Sequence, residues 1–173
     1  MKFGILKERK NPPDRRVVFT PEELVRLKNE HPEAAIKVES SDIRVFTDEE
    51  YSNVGLEVAT DMTDCDVLFG VKEVPVDALI PNKKYFFFSH TIKKQPYNRK
   101  LLQAILEKNI ELYDHETIVD AKNKRLIGFG RYAGIVGAYN GLRAFGQKFD
   151  LFNLPKAETL HGKDELIARL KRK

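Results

Sequence analysis

The sequence lacks most features of disulfide-stabilised, metal-binding or membrane-spanning proteins. Its 173 residues include one cysteine, Cys65, and no tryptophan. A single cysteine provides neither a disulfide framework nor metal-ligand spacing nor a redox pair, so we expect no metal site. The longest apolar runs, such as 67–71 and 85–88, are far shorter than the about 20 residues that span a bilayer. Charged residues interrupt the N-terminus before any apolar segment, so we expect no secretory signal, no membrane partner and a cytoplasmic location.

Excess positive charge is also scarce outside the C-terminal end. The chain has 30 Lys+Arg and 26 Asp+Glu, a formal net charge of +4. Residues 163–173 contain five basic and two acidic side chains, so most of this excess lies in the last eleven residues. The rest of the chain is nearly balanced, which argues against a nucleic-acid-binding surface spread over the fold. We therefore expect no nucleic-acid partner.

What the sequence does contain is an alternation of segments typical of strands and helices. The predicted strands are residues 3–6, 35–38, 65–71, 85–89, 110–113 and 126–129. Capping boxes at Thr20–Glu23 and Thr47–Glu50 predict two helix starts, and apolar residues at helical spacing predict further helices at 96–108 and 132–149. Alternating strands and helices form βαβ units. We predict an α/β fold with a mainly parallel open sheet and helices on both faces.

Polar side chains follow four of the predicted strands. They are Arg15 and Arg16 after the first strand, Lys72 after the third, His90, Lys93 and Lys94 after the fourth, and Asp114, His115 and Glu116 after the fifth. Ligands of open parallel sheets bind beyond the carboxyl ends of the strands, so these side chains should share one edge of the sheet. Cations, a histidine and a carboxylate at that edge predict a pocket for an anionic small molecule with an acid/base pair.

Each residue also has a purely structural explanation. Lys72 fits a solvated charge at a strand end, and His90 fits a histidine that caps a turn. Glu116 fits an N-cap or a surface carboxylate, and Arg16 fits a pair with an acidic neighbour such as Asp14. The functional hypothesis depends on the shared edge rather than on any one of them.

A glycine motif near the C-terminal end imitates a dinucleotide-binding fingerprint. Gly-Phe-Gly-Arg-Tyr-Ala at 128–133 fits G-x-G-x-x-A, and Asp150 follows about twenty residues later. The acidic residue of that fingerprint should end the next strand, whereas Asp150 closes a predicted helix. The glycines at 134, 137 and 141 better suit a helix packed closely on another backbone, so we expect no cofactor to bind here.

Four motifs occur in the order that one known family has. They are Arg-Arg-Val-Val-Phe-Thr-Pro at 15–21, Gly-Val-Lys-Glu-Val-Pro at 70–75, Phe-Phe-Phe-Ser-His-Thr-Ile-Lys at 86–93 and Gly-Phe-Gly-Arg-Tyr-Ala-Gly at 128–134. Together they resemble the N-terminal domain shared by alanine dehydrogenase, the transhydrogenase alpha subunit and lysine-forming saccharopine dehydrogenase. The last two motifs are most similar to the saccharopine dehydrogenase (lysine–ketoglutarate reductase) branch. The similarity runs from about residue 2 to about residue 150.

The resemblance implies roles for the polar residues. Arg16 matches the arginine that binds the substrate carboxylate, and Lys72 and His90 match the acid/base pair. The weaker, substrate-binding matches are Lys93, Glu116 and Arg125. In that family, lysine and 2-oxoglutarate condense to an imine that NAD(P)H reduces to saccharopine, and the reverse reaction oxidises saccharopine.

The resemblance also implies how the chain is organised. Residues 1–150 are expected to form a Rossmann-like substrate-binding, acid/base domain, and residues 151–173 a linker and helix leading toward a cofactor domain. Family members bind NAD or NADP in that further domain, so we expect this chain to need a separate or downstream Rossmann domain and to be inactive alone. The alternatives are an alanine-dehydrogenase-like domain and a non-catalytic module that binds an amino acid or keto acid.

Overall fold

The computed structural model describes residues 1–171, and its first unit is built on one six-stranded parallel sheet. The strands are β1 (Lys2–Ile5), β2 (Ala35–Glu39), β3 (Glu57–Ala59), β4 (Val67–Phe69), β5 (Lys84–Phe87) and β6 (Glu111–Asp114). Their order is β3-β2-β1-β4-β5-β6, and every neighbouring pair is parallel. The predicted α/β fold with a parallel open sheet is confirmed.

Five α-helices accompany the strands in the described residues. They are α1 (Pro21–Glu30), α2 (Asp48–Asn53), α3 (Arg99–Glu107), α4 (Gly130–Lys148) and α5 (Lys163–Lys171). Both predicted capping boxes are present. In α1 the Thr20 hydroxyl accepts from the Glu23 N–H at 3.2 Å, and the Glu23 carboxylate accepts from the Thr20 N–H at 2.8 Å. These bonds satisfy donors that the first helical turn leaves unpaired.

The strand order creates a crevice at the centre of the sheet. The chain runs from β1 outward through β2 to β3, then crosses to β4 and continues outward to β6. Ile5 of β1 lies beside Val38 of β2 on one side and Phe69 of β4 on the other. The connection after β1 runs over one face of the sheet, and the connection after β4 runs over the other face. A crevice therefore lies between the carboxyl ends of these two strands.

Helices pack on both faces of the sheet, as predicted. On one face, Leu24 of α1 and Tyr51 of α2 join Ile5 and Val38 in a buried cluster. On the other face, Leu68, Tyr85 and Phe87 pack with residues of α3, namely Leu101, Ala104 and Ile105. The lone Cys65 is a free thiol buried within this second cluster.

Two predictions about strands differ from the structure. The predicted strand 126–129 is wrong: these residues lie outside the sheet. The chain before them turns back on itself, with Val119 and Arg125 in an antiparallel bridge and Asp120 accepting backbone bonds within the turn. Strand β3 was not predicted, because three residues at a sheet edge give no alternating pattern long enough to recognise.

A second compact unit begins at Gly128, and the first ends at Ile127. In the second unit Tyr139 of α4 packs with Leu154 and with Leu166 of α5. Helix α4 therefore belongs with the residues that follow it. The two compact units divide between Ile127 and Gly128, before the domain boundary that the sequence predicts at residue 150. Among the described residues, no helix combines the length and apolarity needed to cross a membrane.

Candidate active site

The candidate site is the edge of the sheet where β1, β4, β5 and β6 end, which we call the rim. Four loops meet there, at 6–16, 70–75, 88–93 and 115–116. Parallel strands place all four carboxyl ends at this edge. In the described part of the chain, no group of three or more His, Cys, Asp or Glu side chains could hold a metal ion.

Lys72 lies in the loop after β4, at the central crevice. Its backbone N–H donates to Oε2 of Glu8 at 2.8 Å, and the neighbouring Val71 N–H donates to Oε1 at 2.7 Å. The Lys72 side chain is partly exposed. Within residues 1–171 its ammonium makes no hydrogen bond or ion pair of its own. It is therefore available to a ligand.

His90 lies in the loop after β5 and contacts the carboxylate next to Lys72. Its Nδ1 lies 2.6 Å from Oε1 of Glu73, whose other oxygen is 3.6 Å from the Lys10 ammonium. Burial alone would raise the pKa of Glu73, but its own backbone N–H, His90 and Lys10 together hold that pKa below its ordinary value. The anionic Glu73 favours the tautomer with the proton on Nδ1, which leaves Nε2 for a ligand.

A buried polar network fixes the backbone of His90. The residue has a left-handed conformation, with φ 56°. The preceding Ser89 hydroxyl donates to the buried Asp114 carboxylate at the end of β6, and the Asn98 amide donates to the His90 carbonyl at 3.1 Å. A non-glycine residue adopts this conformation only where its surroundings hold it there.

Arg16 is held by Asp14, one of the alternatives left open by the sequence. Its Nε donates to Oδ1 of Asp14 at 2.8 Å, Nη2 donates to Oδ2, and the Arg16 backbone N–H also donates to Oδ1 at 3.1 Å. Hydrogen bonding to this guanidinium, against the opposing effect of burial, holds the pKa of Asp14 below its ordinary value, and the charge of Lys72 acts in the same direction. The Arg16 side chain remains 39% exposed, so the pairing orients it and leaves surface for a ligand.

Lys93 and Arg125 converge on Glu116. Oε1 of Glu116 lies 3.3 Å from the Lys93 ammonium and 3.4 Å from the Arg125 guanidinium. The Glu116 side chain is only 9% exposed, and its Oε2 is buried with no hydrogen-bond partner among the described residues. Arg125 also lies over the Phe88 ring at 5.8 Å. Both cations are about half exposed.

Sequence reasoning did not assign functions to several residues of the rim. Glu8 and Glu73 were missed. The buried His115 was expected at this edge but was given no role, and its Nε2 donates to the Gly70 carbonyl at 3.1 Å. Burial lowers the pKa of His115 and favours its neutral form. The only available signal was position: each of the three lies within a few residues of a strand end.

The glycine motif at 128–133 does not have the surroundings of a dinucleotide site. No strand leads directly into it, because residues 126–129 are irregular, and Gly130 begins α4. Asp150 follows the end of that helix. These residues therefore do not fit a nicotinamide cofactor, because the fingerprint requires a strand that delivers its glycines to a helix N-terminus.

An apolar groove elsewhere in the first unit is a weaker candidate. It has a volume of about 380 Å³, lies between α1 and the sheet, and is lined by residues such as Phe3, Phe19, Leu27 and Phe69. Its lining offers few groups for binding an anion, whereas the rim carries several cations and a histidine.

Comparison with known proteins gives the family. The family described as alanine dehydrogenase/PNT, N-terminal domain, matches residues 4–136. The chain belongs to this family. Its sheet and helices agree with a solved structure of L-alanine dehydrogenase, with a TM-score of 0.62 and 19% identity over 86% of this chain and 41% of that one.

Two relatives have names that state an enzyme activity. The chain is 38% identical over 149 residues to an alpha-aminoadipic semialdehyde synthase of Arabidopsis thaliana, covering 84% of this chain and 14% of the plant protein. It is 29% identical over 143 residues to a saccharopine dehydrogenase [NAD(+), L-lysine-forming] of Yarrowia lipolytica, covering 78% of this chain and 39% of the yeast protein. The domain thus spans a minor part of these relatives.

Proposed function

We propose that this domain is the substrate-binding, acid/base half of a saccharopine-dehydrogenase-like oxidoreductase. The reaction would interconvert saccharopine with lysine and 2-oxoglutarate. The observation that carries the proposal is the rim itself, where Arg16, Lys72 and His90 come from three different loops and two of them have a carboxylate partner. The name of the Yarrowia lipolytica relative, a saccharopine dehydrogenase described as L-lysine-forming, favours this substrate class.

The residue types suit imine chemistry. Forming or hydrolysing an imine moves protons on and off a carbinolamine oxygen and nitrogen, which is work for positioned general acids and bases. His90 would use Nε2 for this transfer, because Nδ1 is held by Glu73. Lys72 would be the second group, since its ammonium is not consumed by an ion pair in the described residues.

The cations at the rim suit a substrate with several carboxylates. Saccharopine has three, and a planar guanidinium can bind a carboxylate through two parallel hydrogen bonds. Arg16 would hold one carboxylate, with Lys93 and Arg125 available for another. The unpartnered Oε2 of Glu116 would accept a hydrogen bond from a substrate donor such as an amine.

The hydride donor would be supplied by another domain. NAD or NADP, bound by a separate or downstream Rossmann domain, supplies hydride transfer, and the relative from Yarrowia lipolytica carries NAD(+) in its name. This chain would bind substrate and not turn it over alone. Its cytoplasmic location stays a prediction.

Calorimetric titration of the 173-residue chain tests substrate binding. We expect saccharopine to bind, and Arg16→Gln to weaken its affinity at least about tenfold, since a charged hydrogen-bonded pair contributes about 1.5–3 kcal/mol. The matched control is Arg26→Gln, an exposed arginine on α1 whose ion pair with Glu30 is 3.9 Å long. Binding of pyruvate but not saccharopine would favour the alanine-dehydrogenase-like alternative. Absence of binding by saccharopine, 2-oxoglutarate and pyruvate would contradict both.

Turnover separates an enzyme from a binding module. In the protein combined with its Rossmann domain, Lys72→Met and His90→Gln should each lower kcat at least about tenfold, because general acid/base groups contribute about 10²–10⁴. If both variants keep wild-type turnover, the acid/base roles are wrong. If saccharopine binds but no Rossmann partner gives turnover, the non-catalytic binding module is favoured.

A further inference from the structure

Glu8 is a buried carboxylate at the central crevice for which the proposed chemistry has no use. It follows β1 by three residues and is 7% exposed. Its two oxygens accept from consecutive N–H groups across the crevice, those of Val71 and Lys72, at 2.7 and 2.8 Å. Among the described residues it forms no ion pair. Its contacts are therefore directed at the backbone that carries Lys72.

The two N–H groups need this partner because of the sheet topology. The pairing of β1 with β4 ends where the Leu6 N–H donates to the Phe69 carbonyl at 2.8 Å. Beyond that point the two chains diverge, and no main-chain carbonyl in residues 1–171 accepts from the N–H of Val71 or Lys72. Buried N–H groups without acceptors are costly, so a side chain must replace the lost main-chain pairing.

We infer that Glu8 is a positioning residue for Lys72, which it acts on through the two backbone hydrogen bonds. The inference rests on the proposed function of Lys72. A carboxylate is the suitable group here, because both of its oxygens accept, whereas an amide would present a donor to one of the two N–H groups. Glu8 thereby fixes the point from which the Lys72 side chain reaches the substrate.

The charges around Glu8 are consistent with this role. Burial raises its pKa, the two N–H groups oppose that effect, and Asp14 and Arg16 act on it in opposite directions. Burial is the largest of these effects, so the pKa of Glu8 lies above its ordinary value, and the two hydrogen bonds favour the anion only against that effect. The same bonds tie the loops after β1 and β4 together at the rim.

A double-mutant cycle tests positioning against a merely structural role. We expect Glu8→Gln to weaken saccharopine binding to the chain about tenfold, as loss of a supporting hydrogen bond does at other sites. In a Lys72→Met background the same change should cost less than about twofold, since the group being positioned is gone. Equal losses in both backgrounds, or wild-type affinity of Glu8→Gln, would overturn the inference. Asp48→Asn is the control, because Asp48 accepts from Ser40 and Ser41 away from the Lys72 loop.

A second measurement does not depend on ligand binding or on a variant that folds. In an NMR titration of the wild-type chain with pH, the chemical shifts of the Val71 and Lys72 amide protons should change with the same midpoint as the chemical shift of the Glu8 carboxyl carbon. Amide shifts that do not follow Glu8 would overturn the inference. If they follow Glu8 but saccharopine does not bind, the substrate assignment fails while the backbone role of Glu8 holds.

Discussion

Gly4 lies at the centre of the sheet, where there is no room for a side chain. A Cβ at this position would lie 2.7 Å from Cδ2 of Leu68 and 3.0 Å from Sγ of Cys65, both fully buried. Overpacking of a core costs about 1–3 kcal/mol. The loss of unfolded-state entropy on replacing glycine offsets about 0.4–1 kcal/mol of this. We therefore expect Gly4→Ala to lower the free energy of unfolding by about 1–2 kcal/mol.

The expected change in melting temperature follows from the size of the chain. For domains of 150–250 residues, 1 kcal/mol corresponds to about 2–4 °C, so Gly4→Ala should lower Tm by about 2–8 °C in calorimetry. Gly70→Ala is the matched control, because a Cβ there would meet only ordinary contacts at 3.7–3.8 Å. Its Tm should equal that of wild type or exceed it by up to about 4 °C, because the gain from the unfolded state is not offset by a clash. A Gly4→Ala protein as stable as wild type would refute the close packing of β1 on β4.

Three further predictions concern individual side chains. The buried Tyr51 hydroxyl donates to the Phe19 carbonyl at 2.9 Å, so Tyr51→Phe should cost about 1 kcal/mol in urea denaturation, and an unchanged midpoint would contradict this. Burial lowers the pKa of His115, so the unfolded state binds the proton more readily, and stability should fall as pH drops from 7 through the ordinary histidine range near about 6.5. His115→Leu should reduce that fall between pH 7 and 5, and an identical fall would show that His115 is not responsible. Asp14→Asn should weaken saccharopine binding about threefold to tenfold, a modest effect because Arg16 is partly exposed, and calorimetry with unchanged affinity would rule out an orienting role.

Local patterns predicted most of the elements that build the sheet. The capping boxes at Thr20 and Thr47 and the apolar runs of β4 and β5 depend on neighbouring residues, so they can be read directly from the sequence. The run at 126–129 shows the limit of this approach, since a short apolar segment is a strand only if a partner strand lies beside it. No such partner exists for it in the described sheet.

The candidate site was predictable in position, but of its pairings only the local one between Arg16 and Asp14 was anticipated. Arg16, Lys72 and His90 follow parallel strands, whose carboxyl ends all lie at one edge of the sheet. This holds whatever the register in which the strands pair. The bonds from Glu8 to residues 71 and 72 span more than 60 positions of sequence, and the contact of Glu73 with His90 spans 17. Such pairings depend on how far each loop extends beyond its strand, which no local pattern specifies.

The central claim is that substrate binds at the rim, and an NMR titration tests it most directly. When saccharopine is added to the ¹⁵N-labelled chain, we predict that the largest amide shifts occur at Arg16, Lys72, His90 and Glu116 in the four loops beyond β1, β4, β5 and β6. Shifts centred instead on the apolar groove beside Phe3, or the absence of shifts at saturating saccharopine, would contradict the account.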